Sequence, residues 1–191
     1  QYERFAAEVD ELNGLASGLI RIGTFSSVMT HWLPKIIREF QKDYPNIEYE
    51  LLLGDYTEIE EWIAEGRVDC GFLRLPAQRE FETIFLEQDE LMAILPEDHP
   101  LAARERVPAA ALCGEPFLLL EKGAKAEISA FFERCGLTPQ VRFTTWDDYA
   151  VMSMVESGLG VSILPKLILR RIPYRIAARG LEPPAYRSIG L

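Results

Sequence analysis

The residues whose types suit binding chemistry fall just behind short apolar runs. Thr24, Ser26 and Ser27 come at the end of Leu19–Thr24, Asp55, Tyr56 and Thr57 follow Tyr49–Leu53, and Arg74 stands near the end of Asp69–Leu75. Hydroxyls and backbone N–H groups at a helix start, with a guanidinium opposite, suit a carboxylate or similar anion, because the helix dipole and the cation both favour negative charge there. Further on, Glu121-Lys-Gly-Ala-Lys125 offers two ammonium groups, Lys122 and Lys125, on a glycine-containing turn. Thr145-Trp-Asp-Asp148 places the indole of Trp146 beside a capping signature. The candidate ligand-binding set is therefore Thr24, Ser26, Ser27, Tyr56, Arg74, Lys122, Lys125 and Trp146.

Each candidate also has a plainer role. Ser26 and Ser27 suit helix N-caps. Thr57, with Glu60 three residues later, forms a capping box that accounts for it fully. Arg74 can pair with Glu80 or Glu82, the two lysines suit a solvated loop, and Thr145 or Asp147 suits an N-cap. Glu58, Glu60, Glu61 and Glu65 read as a solvated helix face. Gly158-x-Gly160 lacks the third glycine and the preceding strand of a dinucleotide fingerprint, so it reads as a helix stop and turn.

Catalytic chemistry finds no support. Neither His31 nor His99 has a Cys, Asp or second His at metal-ligand spacing, and no serine elbow, phosphate loop or paired-acid motif stands out. No enzyme, cofactor or metal is expected. Cys70, Cys113 and Cys135 are too few and too scattered for a disulfide framework and read as small buried hydrophobes in a reducing compartment.

Alternating elements must position these side chains. Leu19–Thr24 predicts a strand, and Leu33, Ile36, Ile37, Phe40 and Tyr44 form the apolar stripe of a helix that stops at Pro45 and starts a residue or two before Pro34. Tyr49–Leu53, a helix from Thr57 to Gly66, and a strand Asp69–Leu75 follow. Strand, helix, strand, helix, strand implies parallel pairing with right-handed crossovers. The same grammar repeats with strands at Leu91–Leu95, Phe117–Leu120, Val141–Thr144 and Val161–Leu164, and helices at Glu127–Cys135 and Asp147–Ser157. Tyr186–Leu191 adds an extended piece. Two similar α/β lobes with a hinge near Gln88–Leu91 result. Ahead of them, Tyr2, Phe5, Val9, Leu12 and Ala16 make a two-heptad seam, too short to be stable alone.

Composition narrows the class. The 191 residues carry 20 Lys plus Arg against 30 Asp plus Glu, a net charge of −10, which opposes phosphate binding by this chain itself. Hydrophobic residues at 48% and charged residues at 26% are globular proportions. No apolar run reaches a membrane-spanning length, and Gln1–Asp10 is polar and acidic rather than signal-like, so a cytoplasmic protein away from membranes is expected.

Six pieces in order resemble one family. Leu19-Ile-Arg-Ile-Gly-Thr24, the Leu33-Pro34 step with Phe40 and Tyr44-Pro45, Glu65-Gly-Arg-Val-Asp69, Leu91–Pro96 with Asp98-His-Pro-Leu101, Gly114-Glu-Pro-Phe117, and Gly158-Leu-Gly-Val-Ser-Ile-Leu-Pro165 are together similar to the effector-binding domain of LysR-type transcriptional regulators. The resemblance covers residues 19 to about 170. It implies an α/β, two-lobed periplasmic-binding-protein-like (type 2) fold with two crossover strands and a small-molecule cleft, which positions matching Ser27, Tyr56 and Arg74 line or border. It implies residues 1–17 as the end of a linker and dimerisation helix, 18–90 plus 175–191 as one regulatory subdomain and 91–174 as the other. It further implies a small, anionic effector, a homodimer or tetramer, and DNA contact only through a helix-turn-helix that this sequence does not contain. The alternatives are a solute-binding protein of a transport system and a small enzyme on the same lobes. The heptad lead-in and the lack of a leader favour the regulator.

Overall fold

The computed structural model describes residues 17–121 and 127–191. The heptad segment, Lys122 and Lys125 lie outside the described residues. Contacts group the rest into two compact units: one holds the chain up to Leu73 with Ala77–Ile84 and Leu191, the other Arg74–Pro76 and Phe85–Gly190.

In the first unit the β-branched run around Ile20 and Ile22 forms β1 (Gly18–Thr24), flanked by β2 (Ile47–Leu53) and the short β3 (Cys70–Gly71) in the order β2-β1-β3. Both pairs are parallel, with β1 and β2 in register from Gly18 opposite Ile47 to Thr24 opposite Leu53. The crossovers are α1 (Ser26–His31), α2 (Leu33–Phe40) and α3 (Tyr56–Ala64). Pro34 occupies the first turn of α2, where its missing N–H leaves no bond unmade. Ile22, Val28, Leu33, Ile47, Ile59, Val68 and Phe72 fill the core. The predicted strand Asp69–Leu75 is broken in two. After β3 the Phe72 N–H still bonds the Gly23 carbonyl, but Leu73–Leu75 forms β4, which belongs to the other sheet.

The second unit is built on a seven-stranded sheet of order β4-β10-β5-β9-β7-β8, with β6 (Arg106–Pro108) also on β10. β7 (Pro116–Leu120), β8 (Gln140–Thr145) and β9 (Val161–Pro165) are mutually parallel through β7, as strand–helix–strand units require. A short α4 (Ala109–Leu112) precedes β7, and α5 (Glu127–Arg134) and α6 (Asp148–Glu156) join the three strands. Phe117 meets Phe132 edge to face at 5.2 Å, and Phe131, Val151, Met152 and Val155 close the core around them. Gly160 has φ +156, and a Cβ there would run into the Pro116 carbonyl, so this glycine is a condition of β9 reaching β7.

The sequence reading underestimates β5 (Phe85–Pro96) and β10 (Ile176–Gly190). They run antiparallel from Ile176 opposite Pro96 to Gly190 opposite Phe85, with register shifts at Gly180/Ala185 and Ile189/Gly190. That ladder groups residues 85–90 and 175–190 with the second unit, where the sequence reading places them with the first. The charged stretch Glu87-Gln-Asp-Glu90 resembles a loop, yet Asp89 stands opposite Arg187 and both are buried. Asp89 accepts from Arg187 Nε at 2.9 Å and Nη2 at 2.7 Å, and from the Leu167 N–H at 2.9 Å. Tertiary pairing overrides local propensity here. Among the described residues no helix is long and apolar enough to cross a membrane.

Removing one partner of a buried pair strands the other charge. Asp89→Ala is expected to lower unfolding free energy by about 3–5 kcal/mol, and Asp89→Leu with Arg187→Met by much less, read from urea denaturation.

Candidate functional site

Each unit carries a polar cluster at the carboxyl ends of its parallel strands. In the first, the Gly54 N–H donates to the Thr24 carbonyl at 3.0 Å and ties the turn after β2 to the turn after β1. Gly54 permits this turn, since a Cβ there would lie 2.5 Å from the Trp62 ring. Phe25 then meets Tyr56 edge to face at 5.2 Å. Thr24 is fully buried, its hydroxyl donating to the Phe25 carbonyl over a long 3.4 Å, and Ser27 is 3% exposed. Thr24, Ser26, Ser27 and Tyr56 are thus brought together.

The caps differ from the sequence reading. The N-cap of α1 is Phe25, extended at φ −120° and ψ 162°, and it supplies no side-chain acceptor. Ser26 and Ser27 lie inside the first turn, so neither is the cap. The capping box of α3 sits two residues earlier than expected. Asp55 accepts from the Glu58 N–H at 2.8 Å while the Glu58 carboxylate accepts from the Asp55 N–H at 2.9 Å. Asp55 is the cap because its backbone is extended (φ −80°, ψ 173°) and its carboxylate reaches the N3 amide, whereas Thr57 already lies inside the helix. Thr57 is left exposed in the first turn.

Glu60 is correspondingly no part of a solvated face. It is 4% exposed and accepts from the Gln78 N–H at 3.0 Å and the Arg79 N–H at 3.2 Å. This carboxylate fixes the segment that returns after β4. Nothing in the local pattern separates it from Glu61 and Glu65, which are exposed. The contact spans eighteen residues and exists only once the chain is folded.

In the second unit Arg74, on β4, pairs with Glu127 at 3.9 Å at the start of α5, rather than with Glu80 or Glu82. The chain separation hides this partner from the sequence. Glu121, closing β7, accepts from the Ser129 N–H at 2.6 Å and hydroxyl at 2.7 Å, and its own N–H donates to the Thr145 carbonyl at 3.0 Å. Asp147 caps α6 by accepting from the N–H groups of Tyr149 and Ala150, and Thr145 accepts from the Asp147 N–H instead of capping. Trp146 is half-buried against the core. Arg74 and Trp146 therefore lie in one unit and the hydroxyl cluster in the other.

Reactive chemistry is subdued. The cysteines are free. Burial, then the Asp69 carboxylate, pushes the Cys70 thiol up, while burial, then Cys135, raises that of Cys113, partly offset by a hydrogen bond from the backbone of Thr138. A raised thiol stays protonated and is a poor nucleophile. Among the described residues no three His, Cys, Asp or Glu side chains are placed to hold a metal ion.

Each of the two α/β units thus carries polar side chains around the ends of its parallel strands. The LysR substrate binding domain model matches residues 13–191, and the chain belongs to that family. It is 33% identical over 180 residues to the uncharacterized HTH-type transcriptional regulator YvbU of Bacillus subtilis, covering 93% of this chain and 61% of that protein. It is 31% identical over 191 residues to the probable HTH-type transcriptional regulator LrrA of Synechococcus elongatus, covering 99% and 64%. The crystal structure of HinK, a LysR family transcriptional regulator from Pseudomonas aeruginosa, superposes with a TM-score of 0.76 at 28% identity, covering 98% of this chain and 68% of that one. The chain thus spans under two thirds of the length of these two curated relatives.

The cap assignment is open to measurement. Asp55→Ala is expected to destabilise the protein by about 1 kcal/mol and Thr57→Ala by a few tenths, compared by thermal or urea denaturation.

Proposed function

We propose that this chain is the effector-sensing and dimerising part of a LysR-type transcriptional regulator, acting in the cytoplasm without catalysing a reaction. The observation that carries this is the joining of family membership to the hydroxyls of buried Thr24 and Ser27 and half-buried Ser26, in the turn whose Phe25 packs on Tyr56. The effector is a small carboxylate or comparable anion. Thr24, Ser26, Ser27 and Tyr56 receive it in the first unit, and Arg74 and Trp146 are candidates within the second. Arg74, 3.9 Å from Glu127, is a cation suited to an anion's carboxylate. Lys122 and Lys125 are further candidates on their charge alone. Effector occupancy then shifts a conformational equilibrium that reaches DNA through the regulator's helix-turn-helix.

Dimerisation rests on an exposed apolar face. In the α2 stripe only Leu33 is buried, while Ile36 is 49% exposed and Ile37 and Phe40 are partly so. The adjoining β2 is a sheet edge with Leu53 exposed, and β8, the edge of the other sheet, exposes Val141 and Phe143. A second copy of the chain covers these faces. Apolar area of this kind marks an interaction surface more often than a free one.

Thermal-shift screening with small organic acids should find a stabilising ligand. Ser27→Ala and Arg74→Ala should each weaken it about tenfold or more, equivalent to about 1.4 kcal/mol, at unchanged fold. Unchanged affinity in both variants would overturn the site. Sedimentation should show a dimer at tens of micromolar that Ile36→Glu converts to monomer; a monomeric parent chain would overturn the pairing.

A further inference from the structure

The second unit holds a cavity that the strand-end cluster does not use. It has a volume of about 340 Å³ and lies between β5, β10 and the 3₁₀ turn Lys166–Arg170. That volume falls within the range of small-molecule sites, about 300–1,000 Å³.

Its walls carry charge in opposed pairs. Glu87 lies 3.6 Å from Arg170, and Glu90 lies 3.8 Å from Lys166 and 3.8 Å from Arg106. None of these contacts is a hydrogen bond by distance, so the lining residues Glu87, Glu90, Lys166 and Arg170 keep hydrogen-bonding capacity toward the cavity. Glu87, Lys166 and Arg170 are about half exposed or more, and ion pairs of that kind contribute little to stability, which makes them cheap to exchange for contacts with a ligand. The base, by contrast, is fixed. Asp89 is buried, accepts from the Leu167 N–H, and is locked to Arg187, so it anchors the 3₁₀ turn to β5 and keeps the opposed charges at a set spacing. Tyr186, 48% exposed, supplies an aromatic wall with no other ring packed on it among the described residues' ring contacts.

We propose that this cavity is a second small-molecule site, taking a zwitterion of the α-amino acid class. The ligand's ammonium replaces the cations facing Glu87 and Glu90, its carboxylate meets Arg170 and Lys166, and its side chain lies on Tyr186. A simple anion would face Glu87 and Glu90, and a simple cation Lys166 and Arg170. Only a molecule bearing both charges satisfies the two pairs together.

Amide NMR of the labelled chain tests this with L-phenylalanine, its analogues 3-phenylpropanoate and 2-phenylethylamine, and then each other common L-amino acid. The expected result is saturable shifts at Gln88, Glu90, Leu167, Arg170 and Tyr186, at least about tenfold weaker for both singly charged analogues. Glu87→Gln and Arg170→Gln should each weaken binding by about tenfold with the rest of the spectrum unchanged, and Ser27→Ala should leave it intact. The proposal is overturned if no amino acid shifts these amides at about 20 mM, if a singly charged analogue binds equally well, or if Ser27→Ala abolishes the shifts while the two cavity variants do not. The last outcome would place the ligand in the strand-end cluster, so this site and that one fail separately.

Discussion

The second unit depends on the charge pair between Asp89 and Arg187. A buried carboxylate and guanidinium in mid-ladder are costly unless every hydrogen-bonding atom finds a partner. Arg187 supplies Nε and Nη2 to one carboxylate oxygen while the Leu167 N–H occupies the other. That requirement sets the local register of β10 on β5, because a one-residue slip of β10 would turn Arg187 to the face opposite Asp89. It also anchors the 3₁₀ turn after β9. The long antiparallel pair then lies across the unit, with β9, β7 and β8 extending the sheet on one side and β4 on the other.

The first unit is governed by parallel pairing. β1 and β2 end together, so the turns that follow them emerge side by side, and the bond from Gly54 to Thr24 fixes their separation. Hydroxyls from one turn and an aromatic ring from the other are placed together by backbone geometry before any ligand is considered. The residues that hold the scaffold and those suited to binding are therefore neighbours: Asp55 caps a helix while Tyr56 beside it packs on Phe25. Glu60 shows the same economy, a helix residue whose carboxylate serves two backbone amides of a distant segment.

Much of this was legible in the sequence where the physics is local. Alternation of apolar runs with helical stripes located β1, β2, β7, β8 and β9, and Pro34 and Gly158 marked a helix start and a helix end correctly. Cap positions were less legible, because Ser26, Ser27, Asp55 and Thr57 all favour a cap and only the observed φ and ψ choose among them. The partner of Arg74 was out of reach. Glu80 and Glu82 are close in sequence, yet folding brings Glu127, at the start of α5, to 3.9 Å from the guanidinium.

What the sequence determined by itself was the class: an acidic α/β chain whose motifs fall in an order resembling the family to which it belongs. Hydrophobic periodicity and turn chemistry act over a few residues, so they can be read without coordinates. Only the tertiary structure decided that a charged stretch from Glu87 to Glu90 is a strand, that Glu60 and Asp89 are buried anchors, and that Glu87, Glu90, Lys166 and Arg170 surround one cavity. Burial of a charge depends on a counter-charge that may lie a hundred residues away in the chain, and its position is fixed only when the sheet has closed.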